Sequence, residues 1–279
     1  MGIKFEKKIY DESFEKEVVK KYIEVQSIKK TSYEFEISTR QITNILDKHS
    51  IAHNITRKIQ MNEEYFDKND DEIIGNDVMY WAGFIAADGN VMNNSNTRSY
   101  FLTIKLSKKD KNHLEQFRKC IQTNATIKDK THPSKYYLDR YWKKTYSSTI
   151  VLNSKYLVNS LTKYNIIPNK TKIYEFPQIL KEHKFVNSFI RGYLDGDGSI
   201  SFKNESLRIN FYGTQNCLTN ISEVITNECG ISIHSPFKNR TIYSLEYNSQ
   251  DAVLLAKWLY KKQNIYLERK FKLIENLIK

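Results

Sequence analysis

The chain reads as an α+β protein in which one αββαββα unit is written twice behind a small all-α module. Three observations predict this class. The stretch YWAGFIAADGNV at 80–91 returns in altered form as FIRGYLDGDGSI at 189–200. Each copy leads into the same order of strand-like and helix-like segments, the mark of an internal repeat. Residues 13–50 show helical periodicity with no alternating strand pattern.

Taken in order, the N-terminal module reads as three short helices, SFEKEVVKKYIEV, SIKKTSYEF and TRQITNILDKHS. Ser38 and Gln41 supply a capping box for the third, with Ser38 at the N-cap and Gln41 at N3. Ile42, Ile45 and Leu46 share one face of that helix, leaving Arg40, Gln41, Asn44 and Lys48 outward. The module is assigned to residues 1–60. The acidic stretch NEEYFDKNDDEIIGND falls in residues 61–77 and reads as a linker or solvated surface segment. The two repeats then occupy 78–182 and 183–279.

Each repeat opens on an apolar helix ending in Asp-Gly. Small residues, Ala82, Gly83, Ala86 and Ala87 in one copy and Gly192 and Gly196 in the other, recur at spacings of three to four. That spacing places them on one helix face, so two such faces can approach to backbone contact. Gly89 and Gly198 are expected to end these helices in the left-handed conformation. A side-by-side pair brings Asp88 and Asp197 together, each opposed by the negative end of its helix dipole. A divalent cation would resolve that conflict, and oxygen ligands beside a basic surface favour Mg²⁺. A solvated turn is the other meaning of Asp-Gly, but its recurrence inside matching repeats argues against it.

The strand-like runs YFLTIKLS and LRINFYGT come next, then the helical stretches KDKNHLEQFRKCI and NCLTNISEVI. A second pair of strands follows in each copy, KYYLDRYW with SSTIVLNS and ISIHSPFK with TIYSLEYN. A last helical segment ends in IIPNKTKI and YLERKFKL, pairing Lys170 with Lys270. The aromatic residues of KYYLDRYWKKTY are expected to pack rather than to stack on bases, as strand aromatics usually do.

With 279 residues, 40% of them hydrophobic, the chain has room for packed cores. Its net charge of +12 points to a polyanionic partner, and the excess lies almost wholly in residues 78–279. No window reaches the length of a membrane helix, and MGIKFEKKIYDE lacks the apolar core of a signal peptide. The protein is therefore expected in the cytoplasm. Three cysteines without a CxxC pair read as reduced thiols, and His49 with His53 reads as surface residues rather than a zinc site.

WAGFIAADG and IRGYLDGDG resemble the nine-residue signature of the LAGLIDADG homing endonucleases in their single-chain form with two signatures. The resemblance covers roughly residues 78–279. It implies a saddle of two antiparallel four-stranded sheets lying along double-stranded DNA, with the signature helices at the domain interface. It also implies a monomer that makes a Mg²⁺-dependent (or Mn²⁺-dependent) staggered double-strand break at a long, non-palindromic site. The last acidic residue of each signature, Asp88 and Asp197, would bind the metal. Ala86 stands where the family's earlier aspartate is usual, whereas the second copy has Asp195. Lys170 and Lys270 match the family's late lysines, and Lys108 and Thr214 occupy the places of polar residues that complete the catalytic pocket.

Recognition would come from the sheets, whose alternate side chains can enter the major groove. Arg98, Lys105, Lys128, Lys130, Arg140, Lys143 and Lys144 in the first repeat, with Lys203, Arg208, Lys238 and Arg240 in the second, are the candidate base or phosphate contacts. The N-terminal module resembles the helix-turn-helix of resolvases, which implies that its third helix enters DNA through Arg40, Gln41, Asn44 and Lys48. A plain three-helix packing module is the alternative. The same fold also serves intron RNA maturases and catalytically silent DNA-binding regulators, so both remain open, with intron RNA as a second partner. The abundance of Lys, Asn and Ile suits an AT-rich genome, hence a bacterial or phage-infected cell, or an organellar matrix.

Overall fold

The computed structural model describes residues 10–51, 59–94, 96–97, 99–137, 140–261 and 263–278. The chain divides into two compact units, residues 1–58 and 59–279. No helix among the described residues is long and apolar enough to cross a membrane.

The first unit is a three-helix cluster of α1 (Glu12–Val25), α2 (Ile28–Glu34) and α3 (Thr39–Lys48). Val18 and Tyr22 from α1 meet Ile42, Ile45 and Leu46 from α3 in its own small core. The expected capping box is present at Ser38 and Gln41. Glu15, almost buried, accepts from Lys48 and His49, and these two hydrogen bonds hold its carboxyl below the usual range.

The second unit contains the duplicated architecture. In the first repeat α4 (Gly75–Asp88) runs into β1 (Gly89–Asn94) and β2 (Ser99–Ser107). Then come α5 (Lys111–Cys120), β3 (Lys128–His132), β4 (Lys135–Tyr137), β5 (Arg140–Trp142), β6 (Thr145–Asn153) and α6 (Lys155–Ser160). In the second repeat α7 (Val186–Asp197) is followed by β7 (Ser199–Lys203) and β8 (Ser206–Gly213). After these come α8 (Gln215–Cys229), β9 (Phe237–Asn239), β10 (Ile242–Asn248), α9 (Ser249–Tyr260), α10 (Glu268–Phe271) and α11 (Glu275–Ile278). Two four-stranded antiparallel sheets result, in the matching orders β1-β2-β6-β3 and β7-β8-β10-β9. The helices cover one face of each sheet, burying Leu102, Ile104, Ile150 and Leu152 in the first and Ile209, Phe211, Leu245 and Tyr247 in the second. The other face stays open.

Three expectations about these elements are corrected. KYYLDRYW is not the third sheet strand of the first repeat. It forms a separate hairpin, β4 with β5, and the sheet is completed by KDKTH in β3. That strand is nearly all exposed, so it has no alternation of polarity to reveal it. In the second repeat only the end of ISIHSPFK is strand, as β9. The acidic stretch 61–77 is packed rather than a linker, because Tyr65 and Phe66 are buried in the core of the second unit and α4 already begins at Gly75.

The helices α4 and α7 lie side by side, as their small residues require. A Cβ on Gly83 would collide with the Phe189 carbonyl, and one on Gly192 with the Tyr80 carbonyl. These two contacts exchange under the offset of 109 positions that relates Asp88 to Asp197, so the pair is pseudo-twofold. Gly89 and Gly198 are not left-handed as expected. Both are extended, at φ −74° and −101°, and each passes straight from helix into strand. Glycine is needed there for closeness, since a Cβ on Gly89 would lie 2.7 Å from the Ile85 carbonyl and one on Gly198 2.6 Å from that of Leu194.

Candidate active site at the paired helix ends

Asp88 and Asp197 are the last residues of α4 and α7. The two ends meet. A Cβ on Gly196 would stand 2.5 Å from that of Ala87 and 3.4 Å from the Asp88 amide nitrogen. Both aspartates reach solvent, yet the packed helix ends displace part of the hydration that a free carboxylate keeps. That desolvation, then the neighbouring Asp197, pushes the Asp88 carboxyl up to about 6, against the pull of Lys270, Lys170 and Arg269. Desolvation likewise raises Asp197, with Lys170 and Lys270 opposing it.

The lysines reach this place from late in each repeat. Lys170 is buried in a single 3-10 turn and donates to the Gly89 carbonyl at 2.5 Å. Lys270 in α10 is buried as well and donates to the carbonyls of Leu194, Asp195 and Gly198 at 2.6, 2.8 and 2.6 Å. Leu194 and Asp195 belong to the last turn of α7, and Gly89 and Gly198 follow the ends of α4 and α7, where positive charge is favoured. The cationic compensation expected of a metal is therefore supplied in part by the chain itself. Burial lowers both ammonium groups, Lys270 to about 8, while the nearby aspartates hold them up.

Asp195 plays a different part from its neighbour two residues on. Fully buried, it accepts from the hydroxyls of Tyr80 and Tyr260 and from the Leu267 amide, each at 2.7 Å. Tyr80 also bonds His113 at 2.9 Å. Arg191 lies in the same interior, donating to the Ile265 and Leu259 carbonyls with its guanidinium 5.1 Å from the centre of the Tyr80 ring. Sequence reasoning passed over Tyr80, His113, Arg191 and Tyr260, although a charged Arg191 within an apolar helix was a signal that partners wait inside the fold. Arg269 was missed too; its guanidinium, 3.1 Å from Asp110, contributes to the field at Asp88.

Two proposed pocket residues are engaged elsewhere. Lys108 pairs with Asp129 at 3.2 Å. Thr214 is the N-cap of α8, accepting from the Cys217 amide and donating to the Tyr174 carbonyl. Among the described residues no group of three or more His, Cys, Asp or Glu is gathered. Two hard oxygen donors fit a cation that completes its shell with water and phosphate, as Mg²⁺ does, and do not fit a four-ligand zinc centre.

Pairing register sorts the basic residues. Lys105, Lys128 and Lys130 share the open face of the first sheet through Thr149 and Ser147. Lys203 and Arg208 share that of the second, where Arg208 stands 3.5 Å from Glu246. Lys238, opposite Tyr243, falls on the other face because the short edge strand β9 sets it there. Lys143 and Lys144 are exposed between β5 and β6, and Arg240 is exposed in the β9–β10 turn. Arg98 and the side chain of Arg140 lie outside the described residues. In the first unit Arg40 and Asn44 are exposed. Lys48 is exposed as well and pairs with Glu15, whereas Gln41 is half-buried, held by its capping box and by Tyr10.

Residues 76–164 match the family model of the LAGLIDADG-like domain. Among solved structures, the homing endonuclease I-WcaI bound to its DNA recognition sequence is similar at 12% identity, covering 69% of this chain and 84% of that one, with a TM-score of 0.50. Mesophilic variants from the homing endonuclease I-DmoI align at 15% identity over 77% of this chain and 99% of that one, TM-score 0.47. Full-length DUF199/WhiA from Thermatoga maritima aligns at 14% identity over 78% and 65%, TM-score 0.45. No curated protein matches the chain.

Proposed function

We propose that this chain, which carries a LAGLIDADG-like domain and the two-sheet fold built from it, is a site-specific endonuclease acting as a monomer on double-stranded DNA. The observation that supports this best is the pair of acidic helix ends set among two buried lysines. Two carboxylates related by pseudo-symmetry suit the two strands of a duplex, and unequal repeats suit a non-palindromic target. Asp88 and Asp197 would hold Mg²⁺ or Mn²⁺, which when bound supplies Lewis-acid polarisation of a phosphate and a lowered pKa for water. Lys170 and Lys270, fixed on backbone carbonyls, contribute positive field where charge grows on the phosphate, at no cost of reorganisation. The open-face lysines and arginines bind the phosphate backbone and base edges, making binding salt-dependent. The three N-terminal helices serve as a second DNA reader through Arg40 and Asn44, raising affinity by effective concentration.

The test is cleavage of DNA from the gene's own insertion locus, with the gene removed, by wild type and by Asp88→Asn and Asp197→Asn. Staggered double-strand cleavage at one site, reduced to nicking or nothing by either substitution, is expected. Tight site-specific binding without cleavage in Mg²⁺ or Mn²⁺ would overturn the nuclease and leave a regulator or an intron RNA binder.

A further inference from the structure

The hairpin β4–β5 is an addition that the sheet does not need. Residues 133–144 separate β3 from β6, whereas in the second repeat only residues 240–241 separate β9 from β10. Described residues of the added segment line one side of an open recess of about 450 Å³ on the open face of the first sheet. Its floor comes from positions that face away from the helices, Lys105, Ser107, His132 and Ser147, and its side includes Lys135, Trp142 and Lys143.

The chemistry of this recess is specific. The expectation that its aromatic residues pack in the interior is overturned, since Trp142 is 55% exposed and Tyr146 47%. The chain's two other tryptophans are buried or partly buried, so Trp142 offers its ring to solvent where they do not. Three lysines, Lys105, Lys135 and Lys143, line the recess together with that ring, and among the described residues that line it there is no carboxylate. His132 is hydrogen-bonded to Ser147 at 2.9 Å, which fixes the floor. A planar apolar surface beside ammonium groups and a hydroxyl floor matches a nucleotide, a flat base joined to an anionic phosphate. In an intact duplex the faces of the bases are covered by their neighbours. Only a base that has left the stack can present its face to Trp142.

We propose that the recess beside the β4–β5 hairpin takes one unstacked nucleotide of bound DNA, with Trp142 against the base and Lys105 and Lys143 against the adjoining phosphates. This rests on the reading of the chain as a DNA-binding protein and adds a contact confined to the first repeat. The hairpin then holds a local distortion of the duplex that the second repeat has no means to hold.

The test uses the full chain in Ca²⁺ with duplexes from the insertion locus, either fully paired or carrying a single unpaired 2-aminopurine at successive positions. One position is expected to bind more tightly than the paired duplex and to quench Trp142 fluorescence. Trp142→Ala should weaken binding to that duplex by about 5- to 150-fold, the range for losing one base stack, while leaving the salt dependence unchanged. Trp142→Phe should restore most of the loss. Lys143→Ala should instead reduce the slope of log K against log salt by about 1. Equal effects of Trp142→Ala on paired and unpaired duplexes, or no effect, would overturn the nucleotide recess while leaving the DNA-binding reading in place. Failure of wild type to bind any of these duplexes would overturn both.

Discussion

A carboxylate at the C-terminal end of a helix is opposed by the helix dipole, and this chain meets that opposition twice, at Asp88 and Asp197. The lysines that answer it were legible as a repeated feature, yet their attachment to backbone carbonyls was not, because nothing local to IPNKT or LERKF names Gly89 or Leu194 as partners. Folded Asp88 keeps its proton up to about 6, whereas the unfolded residue loses it near pH ~4. The folded state thus binds more protons across that interval, so stability falls as pH rises through it and stays lower above it. Asp88→Asn, free of divalent cations, should melt about 1–3 °C above wild type at neutral pH and level with it below pH ~4, a small effect because the carboxylate is in contact with water. A variant that melts lower at neutral pH would show instead that attraction to the lysines dominates.

At the scale of elements, α4 and α7 combine a symmetric contact with an asymmetric one. Gly83 and Gly192 are interchangeable under the pseudo-twofold, and substituting Ala at Gly192 should cost about 3 kcal/mol in urea unfolding, since the atom met is the Tyr80 carbonyl and not a mobile side chain. The Tyr80–Asp195 bond has no such mate. At the same offset of 109 positions, Tyr80 corresponds to Phe189 and Asp195 to Ala86. A second repeat paired with its own copy would bury Asp195 opposite phenylalanine, so the bond favours pairing of unlike repeats. Tyr80→Phe should lose about 1–3 kcal/mol, and its effect should be non-additive with Asp195→Asn in a double-mutant cycle. Full additivity would mean that the hydroxyl and carboxylate act separately. The strands were less legible than the helices. β2 and β8 alternate and were found, while β3, exposed on both faces, and the hairpin β4–β5 were exchanged for one another.

At the scale of the whole molecule the chain has two cores that share no residue, one in residues 1–58 and one in 59–279. Deleting residues 1–58 should leave the melting temperature of the remainder within about 2 °C of its value in the full chain, read by calorimetry, because independent cores unfold independently. If the N-terminal helices read DNA as proposed, the same deletion should weaken binding and flatten its salt dependence without moving the cleavage site. A large drop in the melting temperature of the remainder would show that the two units stabilise one another.

By itself the sequence determined the duplicated unit, the two Asp-Gly helix ends, the small-residue face that joins them and the three N-terminal helices with their capping box. These are signals of period and adjacency, written within a few residues of the backbone they shape. Only the tertiary structure decided that Lys270 caps α7, that Asp195 is tied to Tyr80 and Tyr260 rather than set beside Asp197, which basic residues share an open face, and that Trp142 stands in a recess. Each of those outcomes joins residues from different elements. Their partners are chosen by the close packing of helices and sheets, and no local pattern along the chain records that choice.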